Sequence, residues 1–210
     1  MTIIGVAGTG TEIGKTYVSA TCLAILRGRG LSVAARKPAQ SYAPEDERTD
    51  ADVLAAATGE SPDTVCPADR WLPIPMAPPM AAAALGRPGF TIADLVRETV
   101  LPGTGCTFVE TVGGVRSPMA TDGDCADFLA AMQPDAALLV ADAGLGTINL
   151  VRLSADALAA HTVVVYLNRF DAHDDLHVRN ASWLKDNEGL EIVTDPEALA
   201  DFCVNLPTSR

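Results

Sequence analysis

Short apolar runs closed by turn residues recur along this chain, and between them lie longer stretches whose apolar positions return at helical spacing. The runs TIIGVAG (2–8), LSVAARKP (31–38), CTFVE (106–110), PDAALLVAD (134–142) and HTVVVYLNR (161–169) read as buried strands. The stretches KTYVSATCLAILRGRG (15–30), TDADVLAAATG (49–59), MAAAALG (80–86), TIADLVRETVL (91–101), INLVRLSADALAA (148–160) and DLHVRNASWLKDN (175–187) read as helices. In the first helix Val18, Cys22, Ile25 and Leu26 share one face, and Gly28 or Gly30 marks the stop. Strands alternating with helices predict an α/β fold of three layers, with a mainly parallel sheet covered by helices on both faces. The same rhythm runs through the chain, so residues 1–210 are expected to form a single domain. A proline-rich stretch from 61 to 80, densest in PIPMAPPM, is either a functional loop or a rigid connection.

Sheets of this kind bind ligands outside the C-terminal ends of their strands. Five such ends carry polar residues: Gly8 to Thr16, Lys37 to Ser41, Glu110 to Gly114, Asp142 to Asn149, and Asn168 with Arg169. The first, GTGTEIGKT, joins a strand to a helix. Its backbone N–H groups and the positive helix end suit a phosphate, Lys15 can reach β- and γ-phosphates, and the Thr16 hydroxyl suits Mg²⁺. The spacing is unusual, because five residues instead of four separate Gly8 from Gly14. Lys37 is either a solvated surface residue or a second cation that neutralises charge during γ-phosphoryl transfer. Glu110 is either a carboxylate capping a turn or a Mg²⁺-associated acid, and Asp50 and Asp52 suit a helix start as well as a metal.

Composition narrows the partners. With 27 acidic and 15 basic residues the formal charge is −12, which argues against a protein that coats nucleic acid. Hydrophobic residues at 48% and charged residues at 20% are ordinary globular usage. The five cysteines are scattered without a C-x-x-C pair, indicating neither a zinc site nor a disulfide framework. His161, His173 and His177 lack metal-like spacing with cysteine and are expected on the surface or in loops. No apolar run approaches a membrane span, and the first strand starts too early for a cleavable leader, so a soluble cytoplasmic protein is expected.

With Lys15, Lys37 and Glu110 at three strand ends, the chain resembles the dethiobiotin synthetases, ATP-dependent enzymes of biotin synthesis. GTGTEIGKT fits that family's G-T-x-T-[DE]-[VI]-G-K-T loop with its extra residue, KPAQS fits K-P-x-x-S, and LGTIN is similar to L-G-x-I-N. VETVGG meets the family's carboxylate-and-glycine turn in part, and LNR is similar to its adenine-reading loop.

The resemblance implies a homodimeric P-loop fold with the site at the subunit interface. It implies Mg²⁺, ATP as co-substrate, and ring closure of 7,8-diaminononanoate, a diamine acid, with CO₂ through a phosphorylated carbamate. By matching position Thr11, Lys15 and Lys37 are implied as catalytic, and Thr11, Lys37 and Ser41 as contacts of the diamine or its carbamate. Gly146, Thr147 and Asn149 are implied at the substrate's tail carboxylate. Glu12, Ile13, Gly14, Lys15, Thr16 and Tyr17 are implied around the phosphates, with Glu110 and Gly113 also on the nucleotide side and Asn168 on adenine. Thr16, Asp50 and Glu110 are implied as metal ligands, with Asp50 preferred to Asp52.

The chain departs from the family at several points. Gly10 stands where the family has Asp, Thr111 and Val112 stand in its Gly-Ala turn, and Arg169 replaces an Asp. The β-branched pair is expected to resist positive φ and shrink the site, and Arg116 to add a cation beside it. Two other readings follow: a diverged relative acting on another amine or carboxylate, or a nucleotide-switched module without catalysis.

Overall fold

β1 (Thr2–Gly8) alternates its side chains across a sheet that is covered on both faces, sending Ile3 and Ala7 into one core and Ile4 and Val6 into the other. Burial on both sides is why it reads as one unbroken apolar run. The computed structural model describes residues 1–103 and 105–207. After β1 come α1 (Lys15–Gly28), β2 (Val33–Arg36), β3 (Gln40–Ser41), α2 (Asp50–Thr58), α3 (Pro62–Val65), β4 (Trp71–Leu72), α4 (Pro78–Ala84) and α5 (Ile92–Glu98). The chain continues through β5 (Cys106–Glu110), β6 (Pro118–Ala120), β7 (Gly123–Asp124), α6 (Cys125–Met132), β8 (Ala136–Asp142) and α7 (Thr147–Ala157). It ends with β9 (Val163–Asn168), α8 (Asp175–Glu188), β10 (Glu191–Val193) and α9 (Pro196–Asn205).

Six strands form a parallel sheet in the order β10-β9-β8-β1-β5-β2. The early strands fill one side of β1 and the late strands the other, so the sheet reverses direction of growth there. That reversal opens the crevice in which α/β folds bind ligands. The registers Val6 with Glu110, Gly8 with Val140, and Asp142 with Asn168 bring four of the polar strand ends to this rim.

α1, α2 and α9 cover one face through Cys22, Leu26, Leu54 and Leu199. α6, α7 and α8 cover the other through Phe128, Leu129, Val151 and Leu184. The expected three-layer architecture is therefore present. Several elements lie outside the expected pattern: α6, α9, the short edge strand β10, the β3–β4 pair and the β6–β7 hairpin. The first had a readable start, since Asp124 and Asp127 form a reciprocal cap at its N-terminus. The proline-rich stretch is a structured connection holding α3, a single 3₁₀ turn, β4 and the start of α4. All five cysteines are buried free thiols. Among the described residues no helix is long and apolar enough to cross a membrane.

Candidate active site

The loop from Gly8 to Thr16 turns into α1 through Gly14, whose φ of +92° is left-handed. A Cβ there would lie 2.2 Å from Asn168 Nδ2, so glycine serves both the turn and the close approach of β9. Asn168 Nδ2 donates to Ile13 O at 2.8 Å, and Arg169 Nη2 donates to Glu12 O at 3.0 Å. The end of β9 thus braces the loop from behind. α1 begins without a side-chain cap, leaving its first N–H groups available to an anion.

Beside the loop lies a cavity of about 640 Å³, with Thr11, Glu12, Lys15, Thr16, Lys37, Ser41 and Asp50 on its polar side. Pro75, Met76, Ala77, Pro78 and Val112 form an apolar side, so the proline-rich connection is also a wall of the site. Lys15 Nζ donates to Gly113 O at 2.7 Å and Gly10 O at 3.3 Å. Burial, together with the charge of Lys37, pushes the Lys15 ammonium below its ordinary value.

Lys37 is not a surface residue. Its side chain is 2% exposed, and Nζ sits 2.7 Å from Asp50 Oδ2 and 2.8 Å from Glu110 Oε1. A third bond runs to Thr111 O at 3.1 Å, which uses all three ammonium donors. Burial alone would lower its pKa, but Asp50 and Glu110 outweigh that and raise it above the ordinary lysine value. Asp50 shifts the opposite way, since burial is outweighed by Lys37 and by the Thr16 hydroxyl.

Thr16 Oγ1 lies 2.8 Å from both Asp50 Oδ1 and Glu110 Oε1. One hydroxyl proton cannot serve two carboxylates at once. The cluster has surplus hard oxygen acceptors, a donor set that suits Mg²⁺. Among the described residues there is no all-protein cage of three or more His, Cys, Asp or Glu side chains. Mg²⁺ needs none, because it keeps water and phosphate oxygens as ligands. Asp52 stays out of the cluster and caps α2, where its Oδ2 accepts from Thr49 N at 2.9 Å.

The departures alter the site less than expected. The left-handed residue of the second loop is Gly113, at φ +52°, and neither Thr111 nor Val112 adopts positive φ. Thr111 is fully buried and ties itself to β1, with N and Oγ1 both donating to Val6 O at 2.9 Å. Val112 does enter the cavity wall. A Cβ on Gly10 would meet only Ile13 Cγ2, at 3.9 Å, so a larger residue fits there. Arg116 does not add a cation to the cavity; it pairs with Asp124 at 2.9 Å with its side chain 63% exposed.

Not every implied residue faces the cavity. Tyr17 is exposed at the start of α1, and Gly146, Thr147 and Asn149 lie at the start of α7 outside the cavity lining. Thr147 is buried with its hydroxyl unpartnered, and Leu145 beside it is 91% exposed. His177, expected on the surface or in a loop, lies half-buried on α8, where Nδ1 accepts from Asp171 N at 3.1 Å. Two serines were missed: Ser117 in the cavity lining and Ser19 against Glu110.

Residues 3–193 match the family model of the AAA domain. The ATP-dependent dethiobiotin synthetase BioD of Haloferax mediterranei is 32% identical over 217 residues, covering 98% of this chain and 91% of the relative. The chain belongs to the dethiobiotin synthetase family. The enzyme of the same name from Methylobacterium nodulans is 37% identical, covering 78% of this chain and 77% of its own length. A putative plasmid partition protein from Borrelia burgdorferi, solved with AMPPNP, superposes with a TM-score of 0.56 at 13% identity, over 100% of this chain and 92% of that one. That likeness establishes the P-loop architecture and nothing finer. In this chain five residues, Thr11 and Glu12 among them, separate Gly8 from Gly14.

Four carboxylates here carry a pH prediction. Asp50, Asp94, Asp124 and Asp142 are all held below their ordinary value of 3.8: Asp50 by Lys37 against burial, Asp94 by Thr91, Asp124 by the Asp127 N–H against burial, and Asp142 by the Gly144 N–H. The unfolded chain therefore binds more protons in acid, so their stabilisation is complete above about pH 5 and is lost as pH falls through the native values. Urea midpoints measured between about pH 3 and pH 7 should fall on acidification. A flat or rising midpoint would contradict the assignment.

Proposed function

We propose that this chain is a cytoplasmic ATP-dependent dethiobiotin synthetase. The observation that carries the reading is the convergence of Lys15, Thr16, Lys37 and Asp50 on the polar wall, with Glu110 bonded to Thr16 and Lys37 from behind it, in a member of that family. One amine of bound 7,8-diaminononanoate adds through its lone pair to CO₂, breaking a C=O π bond, and loses a proton to solvent to give a carbamate. A carbamate oxygen attacks the γ-phosphorus of ATP and ADP leaves. The second amine then attacks the carbonyl carbon, loses a proton and expels phosphate, closing the cyclic urea.

The protein's part is positioning and charge neutralisation. Glu12 to Thr16 wrap the phosphates with the Tyr17 backbone next to them, Glu110 and Gly113 lie on the nucleotide side, and Asn168 reads the base. Thr11, Ser41 and Lys37 hold the carbamate, while Lys15 and Lys37 offset charge as the γ-phosphoryl group moves. Thr16, Asp50 and Glu110 would hold Mg²⁺, which when bound neutralises phosphate oxygens.

Lys37 bonds both carboxylates of that set and is their counter-ion. The substrate's tail carboxylate is met by Gly146, Thr147 and Asn149 of a second copy. Leu145 just before α7, with Leu150 and Leu153 on it, exposed by 91%, 46% and 62%, offer apolar surface for such a homodimer.

The test is a steady-state assay with diamine, bicarbonate and Mg-ATP. One ADP and one phosphate should appear per dethiobiotin, and phosphate release without product would refute the reading. Val112 in the wall favours one alternative, the same chemistry on another amine. Greater phosphate release with a different amine than with the diamine would favour that alternative.

A further inference from the structure

Glu110 has both carboxylate oxygens hydrogen-bonded although its side chain is 1% exposed. Oε1 faces the reacting side, bonded to Thr16 Oγ1 and Lys37 Nζ, each at 2.8 Å. Oε2 faces inward and accepts from Ser19 Oγ at 3.0 Å. Ser19 is itself fully buried in α1. It follows Thr16 by three residues, so the two hydroxyls leave the same face of α1 and grip opposite oxygens of one carboxylate. A serine inside a helix commonly turns its hydroxyl back to a carbonyl one turn earlier. This one is directed across to β5 instead.

We propose, resting on the metal- and nucleotide-dependent reading above, that Ser19 is a positioning residue that fixes the plane of the Glu110 carboxylate. With Oε2 anchored, Oε1 stays directed at Thr16, Asp50 and Lys37. Without the anchor the carboxylate can rotate about its last bond, and a buried oxygen loses its donor. Ser19 touches no reacting atom; its effect passes through Glu110 to the metal-side oxygen cluster and to Lys37.

The test measures binding without turnover. Mn²⁺ is titrated into the full-length protein in the presence of ADP and followed by electron paramagnetic resonance, for the wild type, Ser19→Ala and Ser19→Cys. Ser19→Ala should weaken Mn²⁺ by about 10–100-fold, the range typical of residues that orient metal ligands. Ser19→Cys, of similar shape with a weaker donor, should fall between and guards against loss of folding in the alanine variant. In a Glu110→Gln background Ser19→Ala should add less than about 2-fold, because its route is already cut.

Mn²⁺ binding by folded Ser19→Ala within about 2-fold of the wild type would overturn the proposal, as would full additivity with Glu110→Gln. Wild-type protein that binds no Mn²⁺ with ADP would overturn it too. Protein that shows the predicted binding losses but makes no dethiobiotin would leave Ser19 in its role and remove only the assigned reaction.

Discussion

Replacing Lys37 by alanine should lower turnover by about 10²–10³-fold, the loss expected when a preorganised charge-stabilising donor is removed from a reacting centre. Affinity for a non-hydrolysable ATP analogue should stay within several-fold, because Lys15 and the first turn of α1 remain in place. The same change leaves Asp50 and Glu110 facing each other without the ammonium that bonds both. Removing one partner of a buried ion pair typically costs about 3–5 kcal/mol, so the metal-free variant should melt well below the wild type. Mg²⁺ should then raise its midpoint more than it raises that of the wild type, since the ion supplies the missing positive charge. Equal losses of turnover and analogue binding would make Lys37 a structural support of the nucleotide loop. A Mg²⁺ response no larger than the wild type's would contradict its role as counter-ion to the carboxylates.

The second large effect separates two neighbouring acids. Asp50→Asn should weaken divalent-ion dependence and kcat/KM by at least about 10-fold, the minimum common for groups that merely support a metal ligand. Asp52→Ala should leave kcat unchanged and cost about 0.3–1.5 kcal/mol, as loss of one half of a capping box does. The geometry behind the contrast is direct: Asp50 touches Thr16 and Lys37, whereas Asp52 bonds Thr49. Metal titrations of activity together with thermal melts check both halves. Activity loss in Asp52→Ala, with Asp50→Asn unaffected, would reverse the assignment.

Five of the six strands of the central sheet and most of its helices were legible because burial on both faces writes itself as continuous apolar runs. α6 and α9 are eight and ten residues long and went unread although both carry capping residues, Asp124 and Asp195. β10 is three residues at a sheet edge, too short for a periodic signal. In the site, the loop of residues 8–16 could be read because its glycines and lysine are contiguous. Lys37 could be placed at a strand end, but its burial depends on Asp50 and Glu110 arriving from 13 and 73 residues away. Local sequence cannot distinguish that from a solvated lysine. The strain expected at Thr111 and Val112 did not arise because the chain takes its left-handed turn one residue later, at Gly113. Ser19 was missed for a related reason: a serine in an amphipathic helix has no local mark that its partner lies 91 residues away.

A dethiobiotin synthetase joins a carbon from CO₂ to two amines at the expense of ATP. The most direct measurement supplies ¹³C-bicarbonate, 7,8-diaminononanoate and Mg-ATP to the wild-type protein and follows the product by mass spectrometry and ¹³C resonance. Dethiobiotin should appear labelled only at its ureido carbonyl, formed in step with ADP and absent when ATP is omitted. ATP consumption without a labelled ring, by folded protein that binds both substrates, would contradict the proposed function.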